Sequence, residues 1–190
     1  MNKVLLNRFG TSPRLQLSCG DWLQHGMHAK TVKFDIGQGG EAPQVNWEDR
    51  SAAIALIKHG PAKALASLLL WGSNEHWNWS DDFDEVVRYL TNEMLKRCDA
   101  DDRQAPKGCS HSREELAYLM ARMTLHFELY NLWGLYSLEG QLLFSGIKIN
   151  HRTYSNYFLR YQKAMLDDVQ ELVWVIEKEV RTYRAALGLL

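Results

Sequence analysis

From His151 to Leu187 the chain contains neither glycine nor proline, and Phe158, Met165, Val169, Leu172, Ile176, Val180 and Tyr183 recur at spacings of three, four and seven. Those spacings place side chains on one stripe of an α-helix, where residues three and four apart lie one above the other. The stretch therefore predicts a single long helix over 151–187, and a stripe of that length has to be buried against other helices. Its length exceeds what a small bundle needs, so its C-terminal half is expected to pack on a second copy of the chain or on another partner.

The rest of the chain reads as helices of ordinary length. Asn46 caps a helix from Trp47 with Glu48 and Asp49 in its first turn, and Gly60 stops it. Pro61 then sits in the first turn of a second helix that Gly72 closes. Ser80, followed by Asp81, Asp82, Asp84 and Glu85, opens a third, whose last turn holds Lys96 and Arg97. Ser112 and Glu115 form a capping box for a fourth, carrying Leu116, Leu119, Met120, Met123, Phe127 and Tyr130 and expected to end near Trp133, where Gly134 interrupts it. Before Asn46 the chain is punctuated by Gly, Ser and Pro, with one alternating stretch, Thr31 to Ile36, that suits a short β-hairpin. The predicted fold is mainly α: an irregular N-terminal segment, 1–45, then a helical domain, 46–190, of five or six helices ending in the long one.

With 190 residues, 46% of them apolar, the chain is large enough to bury a core without metal or disulfide support. Its three cysteines, Cys19, Cys98 and Cys109, are an odd number and predict free thiols in a reducing compartment. The N-terminal residues lack the apolar run of a signal peptide and no apolar stretch is long enough to span a bilayer, so a cytoplasmic location is expected. Net charge is −1, which excludes a general polycation, but the charge is unevenly placed. Residues 1–34 carry Lys3, Arg8, Arg14, Lys30 and Lys33 against Asp21 alone, and residues 74–102 are strongly acidic. Residues 140–166 contain no acid and hold Lys148, Arg152, Arg160 and Lys163.

That acid-free segment coincides with a break between helical patterns. In a helix-turn-helix over 140–163, Leu142, Leu143 and Ile147 hold the first helix to the core, Ile149 plugs the turn and Asn150 caps the second helix. His151, Arg152, Ser155 and Asn156 then face outward, where Arg pairs with guanine and Asn with adenine, while Lys148, Arg160 and Lys163 suit phosphate. The string Ile149-Asn-His-Arg-Thr-Tyr154 resembles the turn and recognition-helix start of helix-turn-helix regulators, including sigma-factor region 4 and phage late-gene antiterminators. The resemblance covers about twenty residues and implies a DNA-binding transcription regulator, of phage type, with duplex DNA and a protein of the transcription machinery as partners. A second reading joins Leu142 to Phe144 with Ile147 to Ile149 as a β-hairpin around Ser145-Gly146, serving only as a connection.

Other chemistry is sparse. Cys98, Cys109 and His111 bracket a polar loop with zinc-type donors but lack a fourth ligand and a CxxC spacing, so no cofactor is expected. Cys19, His25 and His28 fit no ligand pattern, and His126 reads as a surface or core residue without a nucleophile to serve. There is no P-loop, GxGxxG, HExxH or GxSxG, and the expectation is a non-enzyme. Trp77 and Trp79, beside Asp81, Asp82 and Asp84, suggest the competing function, a protein-binding adaptor or inhibitor working through an acidic, Trp-rich face.

Overall fold

The computed structural model describes residues 47–71, 80–107 and 109–186, with the side chains of Trp47 and Ser80 left aside. The N-terminal segment with its expected hairpin, Asn46, Gly72, Trp77 and Trp79 lie outside the described residues. Among those residues there are seven helices and no strand: α1 (Trp47–Ala55), α2 (Gly60–Trp71), α3 (Ser80–Ala100), α4 (Arg113–Leu129), α5 (Leu138–Phe144), α6 (His151–Tyr157) and α7 (Leu159–Ala186). None of them is long and apolar enough to cross a membrane.

The expected long helix is two helices. Phe158, at φ −116° and ψ −22°, ends α6 and precedes α7, and its ring is buried between Tyr154 and Tyr161. This φ lies about 50° from the α-helical value, enough to divide the backbone. Tyr154, Phe158, Tyr161 and Met165 are buried on both sides of the division. The apolar stripe runs through the break unchanged, so periodicity carries no sign of it, and the extra helix raises the expected five or six to seven.

The described residues fall into two compact units. One comprises α1, α2, residues 80–82 and the part of α7 from Val173. In it Ala62, Leu65, Ala66 and Leu68 of α2, Ile54 and Ile57 of α1 and its following turn, and Val173, Ile176 and Val180 of α7 are buried. The Tyr183 hydroxyl lies 3.4 Å from Asp49 Oδ1, linking α7 to α1.

The other unit runs from Phe83 to Leu172 and contains most of α3, all of α4, α5 and α6, and the start of α7. Its core takes Val86, Val87, Leu90 and Met94 from α3, Leu116, Met120, Met123 and Phe127 from α4, and Met165 and Val169 from α7. The serine half of the expected capping box starts α4, with Ser112 Oγ accepting the Glu115 amide at 3.0 Å, while the Glu115 carboxylate lies 3.1 Å from His111 Nδ1. Its end comes earlier than Gly134: Asn131 takes φ +53°, which lets the Asn131 amide reach Glu128 O and the Leu132 amide reach Phe127 O at 2.9 Å. This is a Schellman closure, and the short polar side chain of Asn tolerates the left-handed conformation it requires. Asp102 closes α3 the same way, at φ +47°, with the Arg103 amide on Cys98 O at 2.7 Å.

Arg97 of α3 grips Asp168 of α7 through both guanidinium nitrogens, at 2.6 and 2.5 Å. The Asp168 side chain is 6% exposed and that of Arg97 34%, so the carboxylate has little water to fall back on. Removing the arginine alone strands a buried charge, and Arg97→Ala is expected to lower unfolding stability by about 2–3 kcal/mol. Replacing both partners with Leu should cost less than that single change, as read by urea denaturation. A loss under about 0.5 kcal/mol for Arg97→Ala would contradict this account, being the size of a solvated surface pair.

Candidate nucleic-acid interface

The α5–turn–α6 segment is built by three local devices. Ser137 Oγ accepts the Gly140 amide at 3.2 Å and starts α5. Gly146, at φ +71°, ends it, with the Gly146 amide on Leu143 O and the Ile147 amide on Leu142 O at 2.9 Å. Any residue with a Cβ is strained at that φ, which accounts for glycine here. Asn150 Oδ1 then accepts the Arg152 amide at 2.9 Å and starts α6, the capping role expected of it. Residues 142–149 are therefore a helix end and a turn, and the hairpin around Ser145-Gly146 is not formed. Ser145 to Asn150 make a linker longer than the three- or four-residue turn of common helix-turn-helix units.

Leu142 and Ile147 are buried as expected, and Ile149 is half-buried. Leu143 departs from its expected place in the core: it is 82% exposed, and Phe144 is 52% exposed. The reason is geometric. Three consecutive apolar residues on a helix fan across about 200°, wider than the face a short surface helix buries.

Lys148, Asn150, His151, Arg152, Ser155, Asn156, Arg160 and Lys163 are all exposed. Not all are equally available. Arg160 donates to Asp101 Oδ2 at 2.7 Å and to the Tyr161 hydroxyl at 2.6 Å, and the Tyr161 hydroxyl itself donates to Asp101. Its charge is thus shared with an acid of the α3–α4 connection. Beneath this surface Tyr154 is fully buried, with its hydroxyl donating to Gln162 Oε1 at 2.9 Å. Burial in this apolar setting raises the Tyr154 phenol above its usual value and keeps it protonated.

His111 fixes the turn to α4. Its Nε2 accepts the Lys148 amide at 3.1 Å, while Nδ1 lies 3.1 Å from Glu115 Oε1, which places the ring proton on Nδ1. The same contact bears on the zinc reading. The Cys98 thiol is fully buried, where burial pushes it up, and Cys109 Sγ accepts the His111 amide at 3.4 Å. Among the described residues no three His, Cys, Asp or Glu side chains form a group suited to a metal ion.

A feature the residue-by-residue reading missed lies beside the turn. Phe127, fully buried, is the floor for Trp133, Tyr136 and Phe144 at ring-centroid distances of 5.2, 5.4 and 5.5 Å. Above it, Tyr130 meets His126 at 4.8 Å, His126 stacks on Phe144 at 5.5 Å and 28°, and Phe144 meets Tyr136 at 5.6 Å. Tyr130, Tyr136 and Phe144 are exposed, making a continuous aromatic surface. Burial and then the Arg122 charge hold the His126 imidazole below its usual value, so this ring is neutral and stacks as an arene. The legible signal was the apolar run Leu142-Leu143-Phe144, too wide for one buried face.

Of the residues read as a protein interface, Asp81 and Asp84 are exposed and Asp82 is half-buried, at the start of α3. Comparison with family models, characterised proteins and solved structures gives no match to this chain.

Two outcomes follow for the site's supports. His111→Leu removes the acceptor of the Lys148 amide, so hydrogen exchange at Lys148 should speed up while that of Ile147, held by Leu142 O, stays slow; equal rates in variant and wild type would show that the histidine does not hold the turn. Glu128 is buried and accepts the Trp133 indole N–H at 2.6 Å, and burial holds its carboxyl above the usual range against the opposing pull of that bond. A carboxyl raised in the fold contributes stability in full below its unfolded value near ~4.3 and loses it as pH rises through the folded value. Glu128→Gln should therefore gain on wild type in urea midpoint between about pH 5 and about pH 8, and a constant difference would remove Glu128 as the source.

Proposed function

We propose that this chain is a non-catalytic, DNA-binding regulator in which the turn and α6, from Lys148 to Lys163, contact duplex DNA. The observation that carries the reading is that Lys148, Asn150, His151, Arg152, Ser155, Asn156, Arg160 and Lys163 are all exposed, within a stretch holding no acid. In this reading Asn150, His151, Arg152, Ser155 and Asn156 face base edges or sugar, and Lys148 and Lys163 face phosphate. Arg160, tied to Asp101, serves more to brace α7 than to bind. The likeness of Ile149 to Tyr154 to helix-turn-helix regulators, sigma-factor region 4 and phage antiterminators among them, supports a role in transcription.

A protein-binding adaptor is the second reading, favoured by the exposed Leu135, Leu143 and Phe144 rather than by the acidic start of α3. Salt dependence separates the two. Phosphate contacts from Lys148 and Lys163 release about two counterions, so affinity for duplex DNA should fall roughly twelve-fold between 50 and 200 mM salt. Arg152→Glu with Lys163→Glu should weaken binding at low salt by at least about tenfold. Fluorescence anisotropy with a mixed-sequence duplex measures both, and affinity indifferent to salt and to the double change would sink the DNA reading.

A further inference from the structure

We propose that the aromatic surface formed by Tyr130, His126, Phe144 and Tyr136 is a stacking platform for unpaired bases, so that the protein engages single-stranded nucleic acid beside the duplex contacted by α6. This inference rests on the DNA-binding reading and deepens it. Three of the four rings are exposed and each touches the next, with a fully buried Phe127 beneath Tyr136 and Phe144. Rings supported in this way are held open without collapsing into the core, which is what a base needs to stack upon. Tyr157, also exposed and with the Arg103 guanidinium 5.1 Å from its ring centre, adds an aromatic group at the end of α6.

Charge decides between a nucleic acid and an apolar protein face. From Arg122 to Leu166 the sequence holds only two acids, Glu128 and Glu139, and Glu128 is buried. Against the single exposed acid of that stretch stand exposed Arg122, Lys148, Arg152 and Lys163, with Arg160 paired to Asp101. Aromatic rings set within a cationic surface match a polyanion that carries planar faces. A duplex hides those faces in its stack, whereas a single strand presents them. Three residues separate Phe144 from Lys148, so their Cα atoms lie at most about 14 Å apart, within reach of one short strand.

The test uses the full chain with fluorescein-labelled dT20 and, separately, a mixed-sequence duplex. Wild type should bind dT20, and Tyr136→Ala with Phe144→Ala should weaken that binding by about tenfold or more while changing duplex affinity less than about twofold. If the double variant does not keep its helical circular dichroism, Tyr130→Ala decides, its ring standing at the end of the row against His126; a weakening of about fivefold or more is expected. Unchanged dT20 affinity in the folded variants overturns the platform, and so does failure of wild type to bind dT20. Conversion of a wild-type dimer to a monomer by these changes, with dT20 affinity unchanged, would assign the surface to contact between copies and overturn it too. Duplex affinity insensitive to Arg152→Glu with Lys163→Glu is a separate result, which removes the duplex reading.

Discussion

In the unit from Phe83 to Leu172, helices α3, α4 and α5 end by the same device, a residue at positive φ whose amide and that of its successor bond back into the last turn. Asp102, Asn131 and Gly146 hold those positions. Each closure satisfies two carbonyls that a helix end would otherwise leave without partners and reverses the chain within a few residues. The closure at Asp102 delivers the chain toward His111, the one at Asn131 begins the segment bearing Trp133 and Tyr136, and the one at Gly146 sets up the turn that carries Lys148. Lys148 to Asn156 depend on these closures because α5 and α6 have only seven residues each, whereas Arg160 and Lys163 are carried by the 28-residue α7.

Between these turns, polar contacts fix what the closures leave free. Lys148 is tied to α4 through His111, and Arg160 with Tyr161 is tied to Asp101. Asp101 sits in the acidic stretch that the sequence sets against the basic one, so part of the uneven charge is spent inside the molecule. What remains exposed around α6 is a smaller set of cations than the sequence suggests, which is why a modest salt dependence is the fitting expectation for this surface.

Much of the helical architecture was legible because it is written in caps and periodicity. The cap at Ser112, the acidic start and basic end of α3 and the start at Asn150 are read directly from residue types whose side chains do local work. The division at Phe158 was not, because residues 154, 158, 161 and 165 keep helical spacing through a backbone that departs from helix at one residue. The end of α4 was misplaced for a related reason: glycine at 134 is the commoner stop, and asparagine at 131 accomplished the same closure earlier. The eight candidate contact residues were legible as part of an acid-free run, whereas the aromatic surface requires residues 136 and 144 to fold back onto 126 and 130 of the α4 end, which spacing along the chain does not reveal.

The central claim is that the surface from Lys148 to Lys163 touches duplex DNA, and the most direct measurement is a titration of 15N-labelled protein with a mixed-sequence duplex followed by amide chemical shifts. The account predicts that the shifts concentrate at Lys148, His151, Arg152, Asn156 and Lys163, with the start of α3 at Asp81 to Asp84 unmoved. Shifts confined to the start of α3, or none along 148–163 at low salt, would contradict it.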